Sequence, residues 1–216
     1  MKKALMVALP MLFALLSITA GWYFLADKQQ RHLLSYWWQD WQRSVERPTE
    51  SYTLFIGSSS ISRLPESMLN DCKPLAIYGF NNGTTENIRA YLANTSLQNV
   101  ARVVLYIGEN DIAIGEPPMD TAQQVIDLVS DIKTKTEAPI ALVKLKYSPA
   151  REKFHSGFLR FNEAIDKHYM GLSQVSLLPF DKLTQQSLYV SDGIHLNMLG
   201  YAGFTHLIGS FCRRTN

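Results

Sequence analysis

Three short polar segments of this chain carry residue types that can perform acyl transfer. The first, Phe55-Ile56-Gly57-Ser58-Ser59-Ser60-Ile61, leaves an apolar run through a glycine and enters a helix start. A serine at such a turn is exposed at the edge of a sheet, and the helix N-terminus offers backbone N–H groups to an anion. A serine there also serves as an ordinary cap. The second is Asp192-Gly193-Ile194-His195-Leu196-Asn197. Its Asp-x-x-His spacing lets the carboxylate accept a hydrogen bond from the imidazole of the same turn, which fixes the tautomer and stabilises the imidazolium. The third, Ile107-Gly108-Glu109-Asn110-Asp111, brings a side-chain amide to a strand end, where it can donate to an oxyanion or simply close an Asx-turn.

Each segment alone is ordinary, but their order is informative. Ser59, Asn110, Asp192 and His195 supply nucleophile, oxyanion donor, orienter and base. Arg151 is a candidate contact for an anionic substrate or, equally, a structural ion-pair partner. His32, His155, His168 and His206 lack nearby carboxylate or cysteine patterns.

The elements that must position these residues alternate. Apolar strands are expected at 52–57, 75–78, 102–107, 139–145 and 175–178. Between them lie helices carrying Ile88 and Leu92; Ala122, Val125, Val129 and Ile132; and Phe154, Phe158, Phe161 and Ile165. A last helix begins near Asn197. Alternation of this kind implies a parallel sheet covered by right-handed crossovers, with its chemistry at the carboxyl ends of the strands. The Gly- and Pro-rich stretch after the 102–107 strand reads as a loop.

The chain has 216 residues and a formal net charge of +2, with Lys and Arg scattered, which argues against a nucleic-acid partner. Its two cysteines, Cys72 and Cys212, lack metal-ligand spacing, so no metal site is expected. They form either one disulfide or two buried thiols. Lys2 and Lys3 precede an uncharged, mainly apolar run from Ala4 to Ala26, roughly 35 Å long as a helix and longer than a signal-peptide core. Residues 1–26 are therefore read as a retained membrane anchor, with Trp22, Tyr23 and Phe24 at the interface and the remainder of the chain outside. Residues 27–50 carry Leu33, Leu34, Trp37, Trp38 and Trp41 at helical spacing, as an interfacial helix or a stalk. Residues 51–216 form the domain.

The ordered motifs resemble the SGNH (GDSL-like) hydrolase family from about Tyr52 to Phe211. Gly57-Ser58-Ser59 stands for the family's Gly-Asp-Ser, in the manner of a subgroup reading Gly-Ser-Ser-Ser-Ile. Gly108-Glu109-Asn110-Asp111 stands for Gly-x-Asn-Asp. Asp192 to His195, continued by Leu196, Asn197, Gly200 and Tyr201, stands for the Asp-x-x-His block, and Ser148-Pro149-Ala150-Arg151 also resembles the subgroup. The resemblance implies a three-layer α/β/α, flavodoxin-like fold with a five-stranded parallel sheet, and a Ser59–His195–Asp192 triad without cofactor. Ser59, Asn110 and the turn after the second strand would form the oxyanion hole. The family's glycine in that turn aligns with Asn82, and a shift of one residue restores Gly83; either can supply a backbone N–H, since Asn tolerates positive φ. The implied activity is a serine esterase on the outer face of an inner membrane, acting on small acyl esters or acylated glycans. Rival readings are a glycan O-acetyltransferase, a lysophospholipase or thioesterase, and a catalytically weak scaffold in a membrane assembly.

Overall fold

Strand β1 (Tyr52–Gly57) is buried along its whole length, as its unbroken apolar character requires of a strand covered on both faces. It lies inside a five-stranded, all-parallel sheet that also contains β2 (Leu75–Gly79), β3 (Val100–Tyr106), β4 (Ile140–Val143) and β5 (Val175–Leu178). The order β2-β1-β3-β4-β5 is flavodoxin-like. The chain steps from β1 to β2 on one side and then crosses back to β3 on the other. The switch point therefore lies between the carboxyl ends of β1 and β3, where Ser59 and Asn110 emerge.

The computed structural model describes residues 48–213. The expected anchor (1–26) and nearly all of the 27–50 segment lie outside the described residues. Among the described residues no helix is long and apolar enough to cross a membrane.

The helices are α1 (Ser59–Ser62), α2 (Thr85–Ala93), α3 (Glu109–Ala113), α4 (Pro118–Lys133), α5 (His155–Tyr169) and α6 (Met198–Cys212). The apolar stripe anticipated in α4 is buried at Ala122, Val125, Val129 and Ile132, and that of α5 at Phe158, Phe161 and Ile165. Two expectations need correction. The stretch after β3 is not all loop, because α3 begins directly at Glu109. Strand β4 ends at Val143 instead of Leu145 because the Asn162 side chain takes over the pairing. Its Oδ1 accepts from Leu145 N at 2.8 Å and its Nδ2 donates to Leu145 O at 2.9 Å.

Cys72 and Cys212 form a disulfide across 140 residues of sequence, joining the turn Asn70–Cys72 to the end of α6, and Asp71 pairs with Arg213 beside it. Of the two states open for these cysteines, the structure holds the bridged one. A loop of this length constrains the unfolded chain by about 5 kcal/mol in the entropic account. Replacing both cysteines by serine, or adding a reductant, should therefore lower the thermal midpoint well beyond the effect of a surface substitution. Calorimetry with and without reductant measures this.

Candidate active site

The turn that carries Ser59 exists because two glycines leave room for it. Gly57 and Gly79 face one another in the β1–β2 register. A Cβ on Gly57 would lie 2.1 Å from the Tyr106 carbonyl oxygen, and one on Gly79 would lie 1.9 Å from Ser62 N. The start of α1 thus seats directly on the strand ends. Tyr201 fastens it from α6 by donating its hydroxyl to Ser60 O at 3.0 Å. Ser58 and Ser60 are buried, whereas Ser59 is part-exposed.

His195 Nε2 lies 2.9 Å from Ser59 Oγ, and Nδ1 lies 2.7 Å from Asp192 Oδ2. An ionised carboxylate only accepts, so Nδ1 carries the proton and Nε2 accepts from the serine hydroxyl. The other carboxylate oxygen, Asp192 Oδ1, accepts from Ile194 N at 2.8 Å and His195 N at 2.9 Å. Asp192 is thereby held at both oxygens, although its side chain is 42% exposed. Its small burial pushes the carboxyl up, but the bonds from His195 and Ile194 outweigh this and hold it well below the usual carboxylate range. Val190 N donates to His195 O at 2.9 Å, closing the loop, and Asn197 caps α6 just beyond it.

Across the switch point, Asn110 and Asp111 grip the turn between β2 and α2. Asn110 Nδ2 donates to Gly83 O at 2.9 Å, and Asp111 Oδ1 accepts from Thr85 N at 2.9 Å. Within that turn Gly83 N donates to Phe80 O at 3.0 Å, so this N–H is already engaged. Asn82 takes the left-handed conformation, with φ of 55°, and is exposed. The site residues read from sequence therefore converge on one strand-end edge, with Gly83 serving the turn through both its N–H and its carbonyl.

Sequence reasoning missed the polar cluster behind Asn110. Lys146 is fully buried and its Nζ lies 2.5 Å from Glu109 Oε2, which also accepts from Tyr106 Oη at 2.6 Å. Glu109 Oε1 accepts from Ser148 Oγ at 3.1 Å. Burial pushes the Glu109 carboxyl up, but the cations of Lys146 and Arg151 prevail and hold it below its ordinary value. Burial, then the Glu109 charge, keeps Tyr106 protonated as a donor. Arg151, open as a substrate contact or a structural partner, is engaged structurally: Nη1 donates to Glu109 O at 3.0 Å and Nη2 to Asn110 Oδ1 at 2.8 Å. His155 Nε2 meets Ser148 O at 3.0 Å. The signals in the sequence were the acidic residue at the variable position of Gly108-Glu109-Asn110-Asp111 and the Ser148-Pro149-Ala150-Arg151 segment; nothing there marks Lys146 as buried and Lys144 as its partly exposed neighbour.

No family model matches the chain, and no curated protein matches it. Solved structures do match its fold. A candidate platelet activating factor from Streptococcus pneumonia aligns at 20% identity and a TM-score of 0.70, over 92% of this chain and 98% of that one. A member of the lipolytic protein G-D-S-L family from Veillonella parvula DSM 2008 aligns at 14% identity and a TM-score of 0.60, over 76% and 98%. A family 3 carbohydrate esterase from Clostridium thermocellum aligns at 14% identity and a TM-score of 0.60, over 74% and 94%. The fold is thus the α/β fold carried by lipolytic G-D-S-L proteins, with a five-stranded parallel sheet.

Asp111 generates a stability prediction. Its buried Oδ2 has no hydrogen-bond partner, and burial raises its carboxyl above the ordinary value, with the Thr85 N–H opposing. A folded-state pKa above the unfolded one gives stability that is complete at low pH and lost as pH rises through the folded value. Asp111→Asn keeps an oxygen for Thr85 N without the charge, so its thermal midpoint should gain on wild type as pH rises from about 4 to about 8. Paired melting curves across that range check this; a gap that shrinks with pH contradicts it.

Proposed function

We propose that this chain is a serine ester hydrolase of the SGNH class, with Ser59, His195 and Asp192 as its triad. The observation carrying the reading is the unbroken hydrogen-bonded series Asp192–His195–Ser59, at 2.7 and 2.9 Å. In this mechanism His195 Nε2 takes the Ser59 hydroxyl proton as Oγ attacks the acyl carbonyl. Asp192 stabilises the imidazolium that results. The oxyanion receives donors from Ser59 N–H, Asn82 N–H and the second N–H of Asn110 Nδ2, the first being held by Gly83 O. His195 then protonates the leaving alcohol and activates water to release the acyl group from Ser59. Asn82, rather than Gly83, is the turn's donor because the Gly83 N–H is bonded to Phe80 O.

Small acyl groups on a glycan are the substrates we favour. Exposed residues of the turns flanking the triad include Asn81, Asn82 and Ser191, which suit hydroxyl-rich alcohols. One of the matching folds is a carbohydrate esterase. A second reading, a lipid ester or thioester, draws on the exposed apolar side chains Val190, Met198 and Leu199 that flank the His195 loop. The Cys72–Cys212 disulfide supports an oxidising compartment, and with it the expected anchor at 1–26 and an extracytoplasmic domain. The left-handed conformation of Asn82 keeps the turn intact where the family has glycine, which weighs against an inert scaffold.

Ser59→Ala and His195→Ala should each lower kcat on acyl esters by about 10⁴-fold or more, and Asp192→Asn by roughly 10²–10⁴-fold. Hydrolysis that survives either alanine substitution in a folded protein rejects the triad. Rates across acyl chains of increasing length, and acetate release from acetylated glycan with and without added acceptor, separate the glycan, lipid and transferase readings.

A further inference from the structure

Glu109 and Lys146 form an ion pair with almost no access to solvent, their side chains 4% and 0% exposed. Taking two charges out of water costs several kcal/mol per ion before their attraction offsets it, and such pairs are often no more stabilising than apolar residues of the same shape. Stability alone is therefore a weak reason for this pair. Its position suggests another.

The carboxylate is saturated by donors from three elements: Tyr106 at the end of β3, Lys146 after β4, and Ser148 in the segment that follows. Glu109 is also the first residue of α3, and Asn110 is the next. Fixing the Glu109 side chain therefore fixes the backbone from which the Asn110 amide projects. Arg151 completes the fixture by bonding the Glu109 carbonyl and Asn110 Oδ1 with the two arms of one guanidinium. With Oδ1 held by a cation and one Nδ2 hydrogen on Gly83 O, the amide cannot flip, and its remaining N–H direction is set. The same segment reaches the other half of the site, since Ala150 N donates to Gly193 O at 3.1 Å, inside the Asp192–His195 loop. Arg151 places a guanidinium directly on Asn110 Oδ1, while burial pulls the Lys146 ammonium below its ordinary pKa.

We propose that the buried Glu109–Lys146 pair, acting through Arg151, is a positioning and polarising device for the Asn110 amide, which it presents as a preset donor to the oxyanion. All three residues would act through the Asn110 amide, by holding it and not by binding substrate. The charge is desolvated at folding, before any substrate arrives, and the cation at Oδ1 draws electron density from Nδ2–H and strengthens it as a donor. This rests on the esterase reading above, and its test distinguishes the failure of one from the failure of the other.

Arg151 is only partly buried, so Arg151→Met tests the link with the fold kept. It should lower kcat by about 10- to 100-fold with KM within about threefold, the pattern of a contact that matters in the transition state. Arg151→Lys, which keeps the charge but loses the two-armed geometry, should recover only part of the loss. The double variant Glu109→Gln/Lys146→Met removes both charges together, leaving neither unpaired. It should stay folded and lose at least about tenfold in kcat. Phosphonylation of Ser59 by a fluorophosphonate, followed by intact mass, supplies a readout that does not depend on the natural substrate, and its rate should fall in parallel. If these variants label and turn over within twofold of wild type while Ser59→Ala does neither, the pair is structural only and this inference fails, with the esterase reading intact. If wild-type Ser59 is not labelled at all, both fall.

Discussion

The hydrogen bond between Ser59 Oγ and His195 Nε2 joins positions 136 residues apart, and it tolerates only a few tenths of an ångström of error. Ser59 is set by the end of β1, an interior strand of the sheet, and His195 by a loop that enters the last helix. Most of the fold between them can be understood as what keeps these two points in register. Gly57 and Gly79 let α1 sit on the strand ends with no side chain between. From the opposite end of the chain, Tyr201 ties α6 to Ser60, and the Cys72–Cys212 bridge ties the end of α6 to the segment before β2. The distance between His195 and Ser59 is thus fixed by several attachments of the last helix to the first quarter of the domain.

The Asn110 side of the crevice is built by a different strategy. The triad loop is partly exposed and held by backbone donors to Asp192, whereas Asn110 is buried and backed by ionised groups. Its neighbours Asp111 and Glu109 face in different directions: Asp111 holds the start of α2, and Glu109 faces the buried lysine. Three consecutive polar residues after β3 therefore connect the β2–α2 turn, the Asn110 amide and the β4 exit. A strand end at the switch point is where such convergence is available, because neighbouring crossovers diverge there and leave a crevice.

Much of this was legible in the sequence. Unbroken apolar runs such as 52–57 announce buried parallel strands, and the 175–178 strand appears with the same bounds. Ser59, Asp192 and His195 stood out because acyl transfer demands those residue types and because Asp192 and His195 share one short turn. What stayed hidden depends on contacts between distant segments. Lys146 looks like any lysine leaving a strand, and only the fold brings Glu109 against it. Alignment leaves Asn82 and Gly83 interchangeable; only the fold shows that the Gly83 N–H is bonded to Phe80 O. The early end of β4 likewise depends on Asn162, a residue from the following helix that no strand pattern contains.

The central claim is that the acyl group passes through Ser59. Mixing the protein with para-nitrophenyl acetate, quenching in acid within the first turnover and sequencing the Ser59 peptide by mass spectrometry tests it directly. One acetyl group should appear on Ser59, absent from Ser59→Ala, and should form no more slowly than acetate is released. Acetate release with the acetyl group on another residue, or sustained release from Ser59→Ala, would contradict it.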